Sequence, residues 1–240
     1  MLLLWKADGN MENFYAVFVA GGSGVRMGAD VPKQFLDLGG KPILMRTMER
    51  FAEAIDNLKI ITVLPENCIR MWKDLCLERG FTCPQILVKG GITRFHSVKN
   101  ALEHVPDNAV VLIHDGVRPF VSADLIRSLA DRAANGQNAI PVCPVTDTVK
   151  TLVPAESKGE FVDSGMPLPD RKYLFGAQTP QAFPAATVRR AYADTPYDPS
   201  YTDDASVLAA NKIPLTYVAG ERYNIKITTP EDLELARRLI

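Results

Sequence analysis

Binding a phosphate takes backbone amides that can approach an anion closely, with fixed positive charges beside them. One stretch of this sequence offers both: Ala20-Gly21-Gly22-Ser23-Gly24-Val25-Arg26-Met27-Gly28, followed by Pro32-Lys33-Gln34. Glycines let N–H groups converge on phosphate oxygens, and Arg26 and Lys33 add two cations to the same loop. A dinucleotide fingerprint, G-x-G-x-x-G, fails because Met27 holds the third glycine position. A Walker loop fails because no Gly-Lys-Ser/Thr closes the run. A merely tight glycine turn is the plainer reading, but it leaves the two spaced basic residues unexplained.

A second segment is Gly90-Gly91-Ile92-Thr93-Arg94-Phe95-His96-Ser97. Its glycines let a flat base lie against the backbone, and Ser97 suits a pyrimidine edge. An ordinary strand-to-helix turn fits equally well, and Arg94 is open to a structural reading. The third segment, His114-Asp115-Gly116-Val117-Arg118-Pro119, puts a carboxylate among phosphate-binding loops, where a divalent metal with oxygen ligands is expected. Arg118 suits a second phosphate, gripped in bidentate fashion. The alternative is an Asp115–Arg118 ion pair closing the turn. His114 reads as a packing residue. His96 and His104 read as surface or satisfied groups, and no two histidines have zinc-ligand spacing.

Further polar groups follow at Asp147-Thr148, Asp170-Arg171, Gln178-Thr179-Pro180-Gln181, Thr202-Asp203-Asp204 and Asn224-Ile225-Lys226-Ile227-Thr228. Hydroxyls and a guanidinium suit a polyol phosphate. Taken singly, Thr148 and Thr179 also fit strand and cap positions, and Thr202 also fits a helix N-cap. Lys226 stands among apolar residues read as a strand, which calls for an anionic partner.

The scaffold that must gather these segments is legible in the hydrophobic pattern. Phe14–Ala20 is a continuous apolar run ending at glycines, as in a buried strand. Leu58–Leu64, Ile86–Val88 and Ala109–His114 are further strands. Between them, Ile43, Leu44, Met48, Phe51 and Ile55 fall on one helical face. The same holds for Ile69, Trp72, Leu75 and Cys76 after Pro65, and for Val98, Ala101, Leu102 and Val105. Ser122 reads as the N-cap of a helix burying Leu125, Ile126 and Leu129. This rhythm predicts an α/β fold: a Rossmann-like, mainly parallel sheet with helices on both faces and ligands at the strands' carboxyl ends. Ala139–Val153 is β-rich, and the polar stretch to Asp170 carries Gly165, Pro167 and Pro169. Residues 146–174 are therefore expected to form a protruding β-arm that packs on a second subunit. Helices near Ala182–Ala193 and Thr202–Ala210, a strand near Leu215–Val218 and a helix from Pro230 complete the pattern. The chain reads as one nucleotide-handling domain over 14–240, with 1–13 as an N-terminal tail.

Bulk properties narrow the classes. With 27 Lys and Arg against 28 Asp and Glu, the formal net charge is -1, which gives no footprint for nucleic acid or an anionic membrane. The run Met1–Trp5 is too short for a membrane span or signal core. Cys68, Cys76, Cys83 and Cys143 form no C-x-x-C pair and read as reduced thiols, so a cytoplasmic protein is expected.

Taken together, AGGSGVRMGADVPKQF, GGITRFHSV, HDGVRPF, PVTDTVK, AQTPQAF, TDDASVL and NIKITTPEDL resemble the cytidylyltransferases acting on 2-C-methyl-D-erythritol 4-phosphate in the non-mevalonate isoprenoid pathway. The segments occur in order from Ala20 to about Leu233. The resemblance implies that Arg26, Lys33 and Lys226 surround the CTP triphosphate and the reacting phosphorus. It implies that Ala20, Gly21, Gly22, Gly24, Gly90 and Ser97 hold the nucleotide, with Asp115 near magnesium and both ligands. Gly116, Arg118, Thr148, Arg171, Thr179 and Thr202 would cradle the acceptor, with Thr148 and Arg171 serving the neighbouring site of a homodimer. Gly116-Val117 departs from the two alanines often seen there, and Gly21 from an alanine; neither change removes a charge. The acceptor is itself an anion, so positioning and charge neutralisation, rather than a general base, should carry the reaction. Three rivals stand beside this reading: a ribitol 5-phosphate cytidylyltransferase, an NAD(P)-dependent oxidoreductase, and a non-catalytic nucleotide-binding module.

Overall fold

A computed structural model describes residues 13–22 and 31–240. Its first strand, β1 (Asn13–Val19), is apolar along its length because both its faces are covered. Phe14, Ala16 and Phe18 point into one core, and Tyr15 and Val17 into the other. A small hairpin, β2 (Asp37–Leu38) and β3 (Lys41–Pro42), leads into α1 (Ile43–Ala54). Then come β4 (Lys59–Leu64), α2 (Glu66–Glu78), β5 (Gln85–Lys89), α3 (Arg94–Leu102), β6 (Ala109–Asp115) and α4 (Ala123–Ala134). As expected, Ser122 caps α4 by accepting from the Leu125 amide.

β7 (Ala139–Pro144) is followed by the arm, where β8 (Leu152–Pro154) and β9 (Phe161–Asp163) form an antiparallel hairpin apart from the main sheet. β10 (Phe175–Ala177) and β11 (Gln181–Pro184) return the chain to the sheet; α5 (Ala185–Asp194), α6 (Asp204–Ala210), β12 (Thr216–Ala219) and α7 (Pro230–Arg237) complete it. The sheet order is β10-β7-β11-β6-β1-β4-β5, with β12 on the other edge of β7. The ladders make β1, β4, β5, β6, β7 and β12 mutually parallel, with β10 and β11 reversed. α1, α2 and α4 cover one face; α3, α5 and α6 cover the other. The mainly parallel fold class is therefore as expected.

Two local expectations are corrected. Residues 181–184 are strand rather than helix, and α5 begins only at Ala185. Ala182 and Phe183 are buried on opposite faces, between β6 and β7, and an alternation this short is hidden in a run that also fits a helical period. The segment carrying Lys226 is not a strand. It is irregular chain, tied down by the Ile227 amide donating to Val117 O. Ile227 joins Leu38, Ile43, Val117, Leu233 and Ala236 in a third apolar cluster beneath α7. That cluster brings the C-terminal segment up to the carboxyl ends of β1 and β6. Among the described residues no helix is long and apolar enough to cross a membrane. The four cysteines are free, and burial raises each thiol above its usual range. Cys76 is pushed up to about 11, by burial first and by neighbouring Cys83 second.

Candidate active site

The carboxyl ends of β1 and β6 open into a cleft of about 270 Å³. Its floor is glycine backbone. The Ala20 amide donates to Val63 O, the Gly116 amide to Val19 O and the Gly90 amide to Leu64 O, so each loop leaves its strand along the neighbouring one. Gln34, fully buried, donates from Nε2 to Ala20 O at 2.7 Å and pins the start of the first loop.

Lys33 sits in a single 3-10 turn, Lys33–Phe35, and is 9% exposed. Its ammonium donates to Ile227 O at 3.2 Å, and its Cε would lie 3.6 Å from a Cβ at Gly22. The turn thus carries a cation from the first loop onto the C-terminal segment. Lys226 comes from that segment and places its Nζ 3.1 Å from Asp115 Oδ2. Arg118 Nε lies 3.1 Å from the same oxygen, and Arg94 Nε lies 4.0 Å from Oδ1. Burial alone pushes the Asp115 carboxyl up, but Lys226, Arg94 and Arg118 together hold it well below the usual carboxylate range.

Asp115 does not fit the metal-ligand role expected of it. Three cations already share its two oxygens, and a metal ion there would add a fourth positive charge at close range. Among the described residues no three His, Cys, Asp or Glu side chains are grouped to hold a metal. The Asp115–Arg118 ion pair, the alternative drawn from sequence, is present.

The cleft brings together Ala20, Gly21, Gly22, Lys33, Ser97, Asp115 and Lys226 from widely separated stretches of chain. Ser97 donates to Thr93 O and accepts from the Gly91 amide, shaping the wall rather than standing free. Gly90 lies behind that wall, where a Cβ would fall 3.3 Å from Ser97 Oγ. Gly116 and Thr179 lie behind Asp115: the Thr179 hydroxyl accepts from the Asp115 amide at 3.1 Å, and a Cβ at Gly116 would meet Leu44 Cδ1 at 2.8 Å. Arg118 also spends Nη1 on Asn224 O. Thr148, Arg171 and Thr202 do not line the cleft. Thr148 and Arg171 are exposed on the arm, and the N-cap of α6 is Asp203, not Thr202. Arg26 and Gly24 lie outside the described residues.

Gly91, one of the two glycines read as a surface for the base, lines the cleft, and so do Arg94 and Gln34, to which residue type alone assigned no binding role. A Cβ at Gly91 would fall 2.9 Å from the carbonyl carbon of His96, so that turn needs glycine. Arg94 forks onto the fully buried Asp204 at 2.9 and 2.6 Å, and Asp204 also accepts from the Tyr192 hydroxyl at 2.6 Å. Burial works against the charge on Arg94, but Asp204 outweighs it. Both are visible in sequence, yet 110 residues separate them, and no local signal marks the pair.

Glycine backbone and cations gathered at the carboxyl edge of a mainly parallel sheet define a class of protein, the α/β proteins that bind nucleotides or other phosphates there. The family model for IspD, 2-C-methyl-D-erythritol 4-phosphate cytidylyltransferase, matches residues 14–240. A protein of that name from Bacteroides fragilis is 47% identical over 94% of this chain and 98% of its own length. One from Bacteroides thetaiotaomicron is 43% identical over 93% and 98%. Among solved structures, the Thermus thermophilus 2-C-methyl-D-erythritol 4-phosphate cytidylyltransferase superposes with a TM-score of 0.69 at 31% identity, covering 95% of this chain and 98% of that one. The 4-diphosphocytidyl-2C-methyl-D-erythritol synthase from Anaerococcus prevotii gives 0.75 at 27% identity, covering 95% and 96%. The chain belongs to the 2-C-methyl-D-erythritol 4-phosphate cytidylyltransferase family.

Proposed function

We infer that this enzyme transfers CMP from CTP to 2-C-methyl-D-erythritol 4-phosphate. An oxygen of the acceptor phosphate attacks the α-phosphorus of CTP in line, the bond to pyrophosphate breaks, and 4-diphosphocytidyl-2-C-methyl-D-erythritol and pyrophosphate are released. The observation that carries this reading is the meeting of Lys33 and Lys226 with the glycine loop and Asp115 in one cleft. The ribitol phosphate reading is not favoured, because relatives between 40% and 47% identical are named for the methylerythritol substrate. The oxidoreductase reading has no support in the family.

The physical task is to bring two anions together. Lys33, held by Ile227 O, offers a fixed cation beside Gly22 for the triphosphate. Lys226, tethered by Asp115, offers a second where charge builds on the reacting phosphorus. Arg26 is proposed to add a third. The base and ribose are assigned to Ala20, Gly21 and Ser97, with Gly90 packed behind Ser97, and the acceptor to Asp115 and Arg118, with Thr179 bonded to the Asp115 amide behind them. Magnesium would arrive with CTP, as the counter-ion of its triphosphate.

We propose a homodimer as the working unit. Tyr173, Phe175 and Tyr217 are 70%, 52% and 61% exposed around an apolar groove of about 820 Å³ between β7, β10, β12 and α6. An apolar patch of this kind suits a partner subunit. Exposure of Thr148 and Arg171 on the arm fits their assignment to the neighbouring site. The four free cysteines support a cytoplasmic location.

Pyrophosphate release is the direct test. The enzyme is given CTP, ATP, GTP or UTP, with methylerythritol phosphate and ribitol phosphate in parallel. Rapid release is expected only with CTP and methylerythritol phosphate. Equal turnover of ribitol phosphate, or none with either acceptor, sinks the assignment.

A further inference from the structure

His114 is fully buried near the end of the central strand β6, against the rings of Phe51 and Phe18. Both its nitrogens are in use. Nε2 lies 3.1 Å from Arg118 O, and Nδ1 lies 3.0 Å from Thr179 Oγ1. A backbone carbonyl only accepts, so Nε2 must carry the proton. In the neutral ring Nδ1 then accepts, and the Thr179 hydroxyl must donate to it. That leaves an oxygen lone pair of Thr179 to receive the Asp115 amide, which lies at 3.1 Å. The hydrogen bonds thus have one consistent direction: Asp115 N–H to Thr179, Thr179 O–H to His114, and His114 Nε2–H to Arg118 O.

The chain of bonds grips both ends of one turn. Asp115 is held at its amide and Arg118 at its carbonyl, while the turn closes on itself through the Arg118 amide donating to Asp115 O. Asn224 fastens the same unit from the C-terminal segment, donating to Thr179 O and accepting from Arg118 Nη1 at 2.8 Å each. Asp115 and Arg118 are the charged groups this turn presents. Their side-chain geometry therefore depends on an imidazole that never meets a ligand.

We propose that His114, held as the Nε2–H tautomer, is a positioning residue for the acceptor, clasping the Asp115–Arg118 turn together with Thr179. The inference rests on the transferase reading of the site and deepens it. It makes Thr179 part of a support whose single proton is committed inward. It also gives His114 a role that burial alone would not require, since an apolar side chain would fill the same space.

Two measurements test it. Long-range proton–nitrogen spectra of histidine-labelled enzyme, without substrate, should contain one pure Nε2–H tautomer that disappears in His114→Gln. An Nδ1–H tautomer for this ring overturns the proposal, and His104→Gln and His96→Gln assign it by elimination if His114→Gln does not fold, because those two are the only other histidines. Kinetics form the second arm. Thr179→Val, which keeps the shape and loses the hydroxyl, should raise the acceptor KM by about tenfold while the CTP KM moves far less. Thr179→Ser should restore most of that loss. Thr179→Val removes the Thr179–His114 bond together with the acceptor of the Asp115 amide, and His114→Gln removes the same bond together with the one to Arg118 O, so the combined loss should be clearly less than the product of the two single losses. Multiplied losses, or lowered melting temperature with unchanged KM values, overturn the positioning role. The tautomer is read without turnover, so it stands or falls separately from the transferase reading, which fails only if the parent enzyme releases no pyrophosphate.

Discussion

Lys226 Nζ lies 3.1 Å from Asp115 Oδ2, and that same oxygen takes Arg118 Nε at 3.1 Å. One carboxylate therefore holds Lys226 in the cleft, with Arg118 behind it, before any phosphate arrives. Such a cation has little reorganisation left to do when an anion replaces or joins the carboxylate, which is the condition for electrostatic preorganisation. The Lys226 side chain is still 41% exposed, so it remains reachable.

Removing either cleft lysine should damage turnover more than folding. Lys226→Ala and Lys33→Met are each expected to lower kcat by on the order of 10²–10³-fold. Circular dichroism checks the fold and pyrophosphate release the rate. Near-normal turnover at saturating CTP in a folded variant would show that the lysine is not part of the reaction centre.

The Asp115 carboxyl should stabilise the fold at all ordinary pH values. Its folded pKa is depressed, so its contribution is complete above the unfolded value of about 3.9 and is lost only as pH falls below it, through the folded value. The stability difference between the parent and Asp115→Asn, from urea unfolding, should thus stay constant from about pH 8 to pH 5 and shrink below about pH 4. A difference that already shrinks near neutrality would contradict the ion cluster.

Asp204 is 0% exposed and accepts from both Arg94 and Tyr192. Asp204→Asn leaves the Arg94 guanidinium, in the wall of the cleft, with only the more distant Asp115 carboxylate at 4.0 Å. The expected cost is about 3–5 kcal/mol, the usual penalty for breaking a buried pair from one side. Urea denaturation measures it, and a loss below about 1 kcal/mol would mean the pair is effectively solvated.

Gly116 faces Leu44, with a Cβ falling 2.8 Å from Leu44 Cδ1 and 3.2 Å from Ala20 Cβ. Gly116→Ala should therefore destabilise by about 1–3 kcal/mol through overpacking. Leu44→Val in the same chain should recover part of that loss, a coupling that a double-mutant cycle resolves. Strict additivity would place the strain elsewhere. The contact also gives a physical reason for glycine at this position.

The exposed apolar face of β7, β10 and β12 should be an interface. Sedimentation at micromolar concentration is expected to give a dimer for the parent and a monomer for Phe175→Glu or Tyr217→Glu. A monomeric, fully active parent would show that the arm serves no partner.

Most of the scaffold was legible from the chain alone. β1, β4 and β6 are continuous apolar runs because both their faces are covered, and α1, α3 and α4 bury the residues their periodicity selected. β11 was misread because four residues carry too little alternation to compete with the helical pattern running into α5. Lys226 meets an anion, Asp115, although its segment is irregular chain and its side chain is 41% exposed rather than enclosed in a strand. Which anion, and whether Asp115 binds a metal or a lysine, depends on distances between segments that meet only in the fold.

The sequence by itself determined the sheet and the identity of the charged groups, because apolar periodicity and residue type are local properties, and its ordered motifs carried the family resemblance. The tertiary structure decided who partners whom. Asp115 became the tether of Lys226. Thr179 and His114 became supports of a turn. Arg94 became the counter-charge of a distant, buried Asp204. Coulomb and hydrogen-bond energies fall steeply over a few ångströms, and no one-dimensional spacing encodes separations that only packing sets.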